Sequence, residues 1–161
     1  MRKTFRKNKT ELAQHWKNYL FQSLFATVSV FLILIILKFS NAIVIASIGA
    51  TVFIVFAMPN SVSARPRSII GGHLTGLLVG SLISLIPFSS FYIEILILAA
   101  SVGISMFIMV MIDCEHPPAC GTALGIALIG FSWEIAFAVV IFSILLAAIH
   151  DIFKNVIRDL V

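Results

Sequence analysis

Residues 95–120 read ILILAASVGISMFIMVMIDCEHPPAC, and no charged side chain occurs among them before Asp113. An apolar run of this length can cross a membrane as a helix, because a span needs about 17–25 residues. Two consecutive prolines follow, and proline is well tolerated at the first position of a helix. We therefore predict that one membrane helix ends near Ile112 and that another begins at Pro117.

The composition of the whole chain agrees with a membrane protein. Of its 161 residues, 60% are hydrophobic and 11% are charged, and the mean hydropathy is +1.11. In a soluble domain roughly a quarter of the residues are charged. The composition excludes a soluble enzyme, a disordered segment and a nucleic-acid-binding domain, and we expect no enzymatic activity. We predict an all-α, polytopic helical membrane protein whose first partner is the lipid bilayer.

Uncharged stretches predict about six helical segments. They span residues 19–37, 42–58, 69–86, 92–112, 117–130 and 134–150. The fifth is short for a full crossing, so four full spans with re-entrant or broken helices is the alternative. The chain divides into a basic membrane-proximal arm (1–18), a transmembrane domain (19–150) and a short C-terminal tail (151–161). Six short helices enclose little volume, so we expect a homo-oligomer.

The distribution of positive charge predicts the orientation of the chain. Six of the eleven Lys and Arg residues lie in the first seventeen positions. With six crossings, ten of the eleven lie on the side of the N-terminus, and Lys38 lies opposite. Short loops rich in Lys and Arg stay on the cytoplasmic side of a membrane. We therefore predict that both termini are inside, and that the membrane is the inner membrane of a bacterial cell.

Two proline-containing loops each lead into a predicted helix. The first, PNSVSARPRS (59–68), places two arginines directly before its helix, for which Ser68 is a reasonable N-cap. In the second, Pro117 restricts His116 to extended geometry and places it near the N-cap of the next helix. With six crossings both helix starts face the same side. There, unpaired N–H groups and the positive ends of the helix dipoles form a natural anion site.

The helices that follow these loops are rich in small residues. Each follows a long helix and a histidine-bearing loop or helix start, so the two units form a weak internal repeat with one shared orientation. Glycines spaced four residues apart predict close contacts between helices. They are Gly72, Gly76 and Gly80 in the first helix and Gly121 and Gly125 in the second. We expect these contacts to bring the two helix starts together.

The residues of both loops resemble the signature of the HPP family of integral membrane proteins. The match includes the run His116-Pro117-Pro118-Ala119, followed by Gly121, Ala123 and Leu124. It extends to Pro59, Ser61, Ala64, Pro66-Arg67 and Gly71-Gly72-His73, so that it covers residues 40–130. The chain departs from the family pattern at Arg65, Asp113-Cys114-Glu115 and Cys120.

The resemblance implies a small multi-span protein, usually with four membrane segments, and some plant plastid and cyanobacterial members are linked to nitrite transport. It therefore implies a transporter or channel for a small, nitrite-like inorganic anion. The candidate substrate-binding residues are Arg67, Gly71, Gly72, His73, His116, Pro117 and Pro118. In this hypothesis Arg67 supplies a full positive charge. His73 or His116 couples transport to a proton, since histidine titrates near neutral pH.

Each of these roles has an alternative. His73 could pack between helices, bonded to a neighbouring carbonyl, and His116 could simply cap its own helix. Arg67 could form an ion pair with Asp113 or Glu115. The protein as a whole could be a non-transport interaction or assembly subunit, whose basic arm binds lipid head groups or a soluble partner.

Cys114, His116 and Cys120 form a C-x-H-x3-C pattern, and thiolate and imidazole groups suit zinc or copper. A complete ligand set is not evident at this spacing, so we expect no metal and no other cofactor. Two cysteines are also too few for a disulfide framework, and we interpret both as thiols.

Overall fold

The structure is a computed structural model that describes residues 2–37, 42–87 and 90–160, with the side chains of 16–35, 46–87 and 90–160. These residues form six α-helices and one turn of 3-10 helix, Val62–Ala64. The helices are α1 (Arg2–Leu37), α2 (Ala42–Ala57), α3 (Pro66–Ile83), α4 (Phe91–Met111), α5 (Pro117–Ile129) and α6 (Trp133–Phe153). The all-helical fold with six segments is therefore confirmed. The predicted loop 38–41, with Lys38, lies outside the described residues.

Within the described residues, three stretches of helix are long and apolar enough to cross a membrane. They are Trp16–Ile35 of α1 and the whole of α4 and α6. The part of α2 at Ala46–Ala57 and the whole of α5 are apolar but shorter. Because α1 is one continuous helix from Arg2, the basic arm and the first span belong to a single element. The side on which the termini lie stays a prediction.

Helix α3 lies at the centre of the bundle. It packs against α4, α5 and α6, whereas α2 packs on α5 and α6, and α1 contacts mainly α2. The core consists of large apolar side chains, most of them from α2, α3, α5 and α6, among them Val55, Ile69, Ile126, Phe142 and Leu146. Helix α4 instead turns its small residues Ser101 and Ser105 inward and leaves most of its large apolar side chains exposed. An exposed apolar surface of this kind suits contact with lipid.

Helices α3 and α5 begin in the same way. Each has proline at its first position, and the residue before that proline, Arg65 or His116, has an extended backbone. The predicted position of His116 as N-cap of α5 is therefore confirmed. The predicted N-cap at Ser68 is wrong, because Pro66 holds Arg65 extended and starts α3 there, which places Ser68 in the first turn.

Helices α3 and α5 run parallel and very close together. A Cβ atom added to Gly72 would lie 2.5 Å from the Cβ of His116, and one added to Gly80 would lie 2.6 Å from the carbonyl oxygen of Ala123. Gly76, between them, packs in the same way on the carbonyl of Ala119. The residues that meet increase in number along both helices, from Gly72 and His116 to Gly80 and Ala123. Both helices therefore start on the same side of the bundle, as predicted.

The C-terminal residues fold back onto the ends of α1 and α2. The Leu160 N–H donates to the Ala57 carbonyl oxygen at 2.9 Å, and the Tyr19 hydroxyl donates to the Leu160 carbonyl at 3.1 Å. The side-chain amide of Gln22 donates to the Arg158 carbonyl oxygen at 2.8 Å. Residues 157–160 are therefore packed against the bundle on the side where α2 ends.

Candidate functional site

Two histidines form the centre of a buried polar cluster. His73 lies two turns into α3, and His116 lies in the connection between α4 and α5, directly before Pro117. Neither side chain has any exposed surface. Their ring centroids are 4.8 Å apart, and the rings meet edge to face at 64°. The structure thus brings together the histidines of the two separate family motifs.

Thr51 of α2 joins the two histidines. Its Oγ1 lies 2.9 Å from Nε2 of His73 and 3.0 Å from Nε2 of His116. The side chain of Thr51 is itself completely buried. A single hydroxyl group therefore links α2, α3 and the start of α5.

The other ring nitrogens also have partners. Nδ1 of His73 lies 2.9 Å from Oγ1 of Thr122 in α5, and Nδ1 of His116 lies 2.7 Å from the carbonyl oxygen of Ser63. Oγ of Ser47, one turn before Thr51 in α2, lies 2.8 Å from Oγ1 of Thr122. We call these side chains the histidine–hydroxyl network: Ser47, Thr51, His73, His116 and Thr122.

The directions of these hydrogen bonds follow from the carbonyl of Ser63. A carbonyl oxygen only accepts, so His116 donates from Nδ1, and its neutral ring accepts from the Thr51 hydroxyl at Nε2. His73 then donates from Nε2 to Thr51 and accepts from Thr122 at Nδ1. Burial lowers the pKa of His116 to about 4, although the hydrogen bond to Ser63 opposes this effect. At neutral pH the network is therefore a directed chain of hydrogen bonds between uncharged groups.

Arg67 has its partners outside this network. Its Nη2 donates to the carbonyl oxygen of Ile112 at 2.6 Å, and its Nη1 lies 3.4 Å from a carboxylate oxygen of Asp113. The Arg67 side chain is 67% exposed and that of Asp113 is 71% exposed. The structure therefore contains the ion pair that sequence analysis left as the alternative role of Arg67, and it binds the start of α3 to the end of α4.

The remaining candidate residues shape the site. Gly71 lets α3 approach the connection after α4, because a Cβ atom there would lie 3.0 Å from the Cβ of Cys114. Gly72 makes the corresponding contact with His116. Pro117 is exposed at the first position of α5, and the carbonyl oxygen of buried Pro118 lies 2.8 Å from Oγ of Ser47.

The backbone donors expected at the start of α5 are largely missing. Pro117 and Pro118 have no N–H group, and the Ala119 N–H donates to the carbonyl of His116 at 2.9 Å. The expectation that free backbone N–H groups form an anion site is therefore wrong for these positions. The donors that remain at this end of α5 are the side chains of the network.

The sequence alone does not mark Ser47, Thr51 or Thr122 as site residues. The signal in the sequence was the four-residue spacing of Ser47 and Thr51, which places two hydroxyls on one face of an apolar helix. Such hydroxyls commonly bond to their own helix, and Thr51 also lies 3.0 Å from the carbonyl of Ser47. Their role becomes visible once α2 is packed on α5.

The cysteines lie beside the network as free thiols. Cys114 is buried and Cys120 is partly exposed. Burial is the main reason why the pKa of the Cys114 thiol is raised, and it outweighs the opposing effects of Thr75 and Arg67. Among the described residues, no group of three or more His, Cys, Asp or Glu side chains could hold a metal ion.

A groove between α4 and the start of α5 reaches His116. It has a volume of 260 Å³, and its lining includes Met106, Glu115, His116, Pro117 and Cys120. One carboxylate oxygen of Glu115 is buried without a hydrogen-bond partner. The lining is otherwise mainly apolar, so the groove leads from the apolar surface of the bundle to the edge of the network.

Comparison with known proteins identifies the family. The family model described as "HPP, transmembrane region" matches residues 11–159. The chain belongs to the HPP family. A transmembrane protein of Dictyostelium discoideum is 34% identical to this HPP protein over 83 residues, which are 51% of this chain and 29% of the relative. No solved structure matches the chain.

The family assignment confirms the resemblance found in the two loops. In this HPP protein both motifs supply a histidine to one network, although they lie far apart in the sequence. The conformation around them is set by the glycines and prolines of the same motifs. The HPP residues thus form one structural unit of the membrane bundle.

Proposed function

We propose that this protein transports a small inorganic anion such as nitrite across the membrane, and that the anion binds at the histidine–hydroxyl network. The observation that supports this proposal is the burial of two imidazoles and three hydroxyls in one connected cluster. Ionisable side chains inside a membrane protein are costly, and they commonly mark ion or substrate pathways.

The network can attract an anion through its imidazoles. A histidine can take up a proton, and its positive charge then offsets part of the hydration that an anion loses. The parallel α3 and α5 add the positive ends of their dipoles on the same side of the bundle. Side chains therefore take the role that sequence analysis gave to backbone N–H groups.

The groove beside His116 favours a small substrate. Its 260 Å³ lies below the roughly 300–1,000 Å³ of pockets that hold drug-sized ligands. In this proposal the anion enters along the groove and reaches the network at His116. Arg67 is paired with Asp113 on the surface. In this proposal it attracts the anion towards the groove and is not part of the network.

Uptake by proteoliposomes tests the proposal. Purified protein in liposomes is offered nitrite, nitrate and chloride separately, and protein-free liposomes give the background. We expect uptake of at least one monovalent anion, and its loss in His73→Gln and His116→Gln. His150→Gln is the matched control, because His150 is also buried, with 5% of its surface exposed, but bonds through Nε2 to the Pro59 carbonyl. Folded wild-type protein without flux of any of the three anions would overturn the proposal.

The second candidate is a non-transport assembly subunit. The tight α3–α5 interface favours it, because the glycine contacts leave no space between the helices. The apolar face of α4 also offers a large surface for another membrane helix. This candidate predicts no anion flux in the same liposomes, and equal stability of complexes formed by the wild type and by His116→Gln.

The proposal also covers the membrane in which the protein lies and its oligomeric state. We place the protein in a bacterial inner membrane with both termini inside, as the positive charge of the N-terminal arm predicts. We also propose a homo-oligomer, since the six helices of the described residues enclose little volume. Protease accessibility in oriented vesicles and the mass of the purified particle test these two statements.

A further inference from the structure

The network has acceptors that its neutral side chains do not use. Each of its five side chains has one proton to donate. In the neutral chain Ser47 donates to Thr122, Thr122 to His73, His73 to Thr51, Thr51 to His116 and His116 to the carbonyl of Ser63. All five protons are then in use.

Two carbonyl oxygens still lie within reach of the hydroxyls of α2. The carbonyl oxygen of Ser47 is 3.0 Å from Oγ1 of Thr51, and that of Pro118 is 2.8 Å from Oγ of Ser47. In the neutral chain neither hydroxyl has a proton left for these acceptors. The network can therefore hold a further proton, provided that a hydroxyl turns towards one of these carbonyls.

The position of that proton follows from the geometry at Thr51. A proton on Nε2 of His116 would make this nitrogen a donor to Oγ1 of Thr51, across the same 3.0 Å. The Thr51 hydroxyl would then turn to the carbonyl of Ser47. Every hydrogen bond of the neutral chain is kept, one of them with its direction reversed, and one is added. No buried polar group loses its partner.

We propose that His116 takes up a proton as the anion binds, and that Thr51 makes this possible by turning its hydroxyl from His116 to Ser47. The inference rests on the proposed function, because the anion supplies the opposite charge that a buried imidazolium needs. The proton comes from a hydronium ion in the water at the groove, whose O–H bond breaks to leave a water molecule as the N–H bond on Nε2 forms. It leaves from the same atom when the anion is released, so the network returns to its neutral state.

The groups that face His116 suit this exchange. Thr51 faces it from α2, the Ser63 carbonyl from the 3-10 turn and His73 from α3. From α6, the ring of Phe142 packs against His73. Glu115 is adjacent in the chain and lines the same groove. With these neighbours the pKa of His116 is about 4, so at neutral pH the ring gains a proton together with the anion and not before it.

Coupled proton uptake is measured in proteoliposomes that contain a pH-sensitive dye. We expect nitrite uptake by the wild type, above the protein-free background, to acidify the lumen in proportion to the nitrite taken up. An imposed membrane potential should leave accumulation nearly unchanged. Movement of the anion alone would instead change accumulation by about 50-fold at about 100 mV, because an elementary charge then crosses the field. That second result would overturn the inference.

Variants of Thr51 test the hydroxyl itself. Thr51→Val keeps the shape but removes the hydroxyl, so the pH profile of uptake should move to lower pH, by about one unit for a tenfold loss of proton affinity. Thr51→Ser should restore the wild-type profile. The control is Ser105→Ala, whose buried hydroxyl donates to the Val102 carbonyl of its own helix. A wild-type pH profile in folded Thr51→Val would contradict the inference.

A spectroscopic measurement separates this inference from the proposed function. In protein with nitrogen-15-labelled histidine, assigned with His116→Gln, added nitrite should convert Nε2 of His116 from a bare to a protonated nitrogen at neutral pH. Nitrite transport with charge movement and no change at Nε2 would reject the proton inference and keep the transport proposal. Absence of both transport and nitrite binding would reject both.

Discussion

Gly72 and His116 touch across the interface of α3 and α5, so closely that a Cβ atom on Gly72 would lie 2.5 Å from the Cβ of His116. His116 has little room to move away, because both of its ring nitrogens are within hydrogen-bond distance of partners on other elements. The meeting of the two imidazoles therefore depends on the missing side chain at residue 72.

The substitution Gly72→Ala should separate α3 from the start of α5. Overpacking of this kind costs about 1–3 kcal/mol. We expect a lower melting temperature in detergent and loss of anion uptake. Gly103→Ala in α4 is the matched control, because a Cβ atom there meets nothing within 4 Å. Equal melting temperatures and equal uptake for the two variants would contradict the close contact described here.

Arg67→Ala should have a small effect on stability. The ion pair with Asp113 is exposed at both ends, and exposed pairs contribute about 0–1 kcal/mol. Because Arg67 acts at the approach to the site, we expect a higher KM for the anion at low ionic strength and an unchanged maximal rate. Kinetics of uptake at two salt concentrations check this. Complete loss of uptake in the folded variant would instead place Arg67 at the binding site.

The pKa of His116 predicts how acid affects the folded protein. Because its pKa in the folded state is about 4, below the ordinary value, the unfolded chain binds more protons between pH 6.5 and pH 4. Stability from this group is full above pH 6.5 and is lost as the pH falls towards 4, by about 3 kcal/mol. Melting temperatures across this range, compared between the wild type and His116→Gln, measure the effect.

Nitrite should reduce this loss of stability in acid. If the anion binds together with a proton on His116, nitrite stabilises the folded state more strongly at lower pH. Melting temperatures with and without nitrite should therefore diverge as the pH falls, and His116→Gln should abolish the divergence. Equal stabilisation at every pH would mean that anion binding and proton binding are independent.

The two cysteines should differ in reactivity towards a maleimide. Thiolates are the reactive form, and Cys114 is both buried and shifted to a higher pKa. Cys120 lines the groove and is partly exposed. We expect labelling at neutral pH to occur first at Cys120, as measured by mass spectrometry of digested protein. Cys120→Ser should remove the fast phase, and faster labelling of Cys114 would contradict its burial.

Helix positions could be predicted well from the sequence because their signals are local. Long uncharged runs set the apolar segments, and Pro117 both ends the preceding connection and starts α5. The same rule applies to Pro66, but the serine two positions later competed with it as a start signal. A proline at the first position was the stronger signal, so α3 begins three residues earlier than predicted.

The composition of the site could be predicted only in part. His73 and His116 stand out because an ionisable group in an apolar helix bundle is unusual. Thr51 does not stand out, since its role depends on which face of α2 meets α3 and α5. The partner of Arg67 could not be predicted either, because a choice between substrate and Asp113 requires distances that a sequence does not contain.

The last residues described in the chain bear on experiments with tagged protein. The Leu160 amide caps the final turn of α2, and Asp159 accepts hydrogen bonds from the backbone and side chain of Asn60. A fusion joined directly after this segment would pull on α2, whose Thr51 lies less than two turns from Ala57. Affinity handles and fluorescent reporters therefore need a flexible spacer if Thr51 is to keep its position.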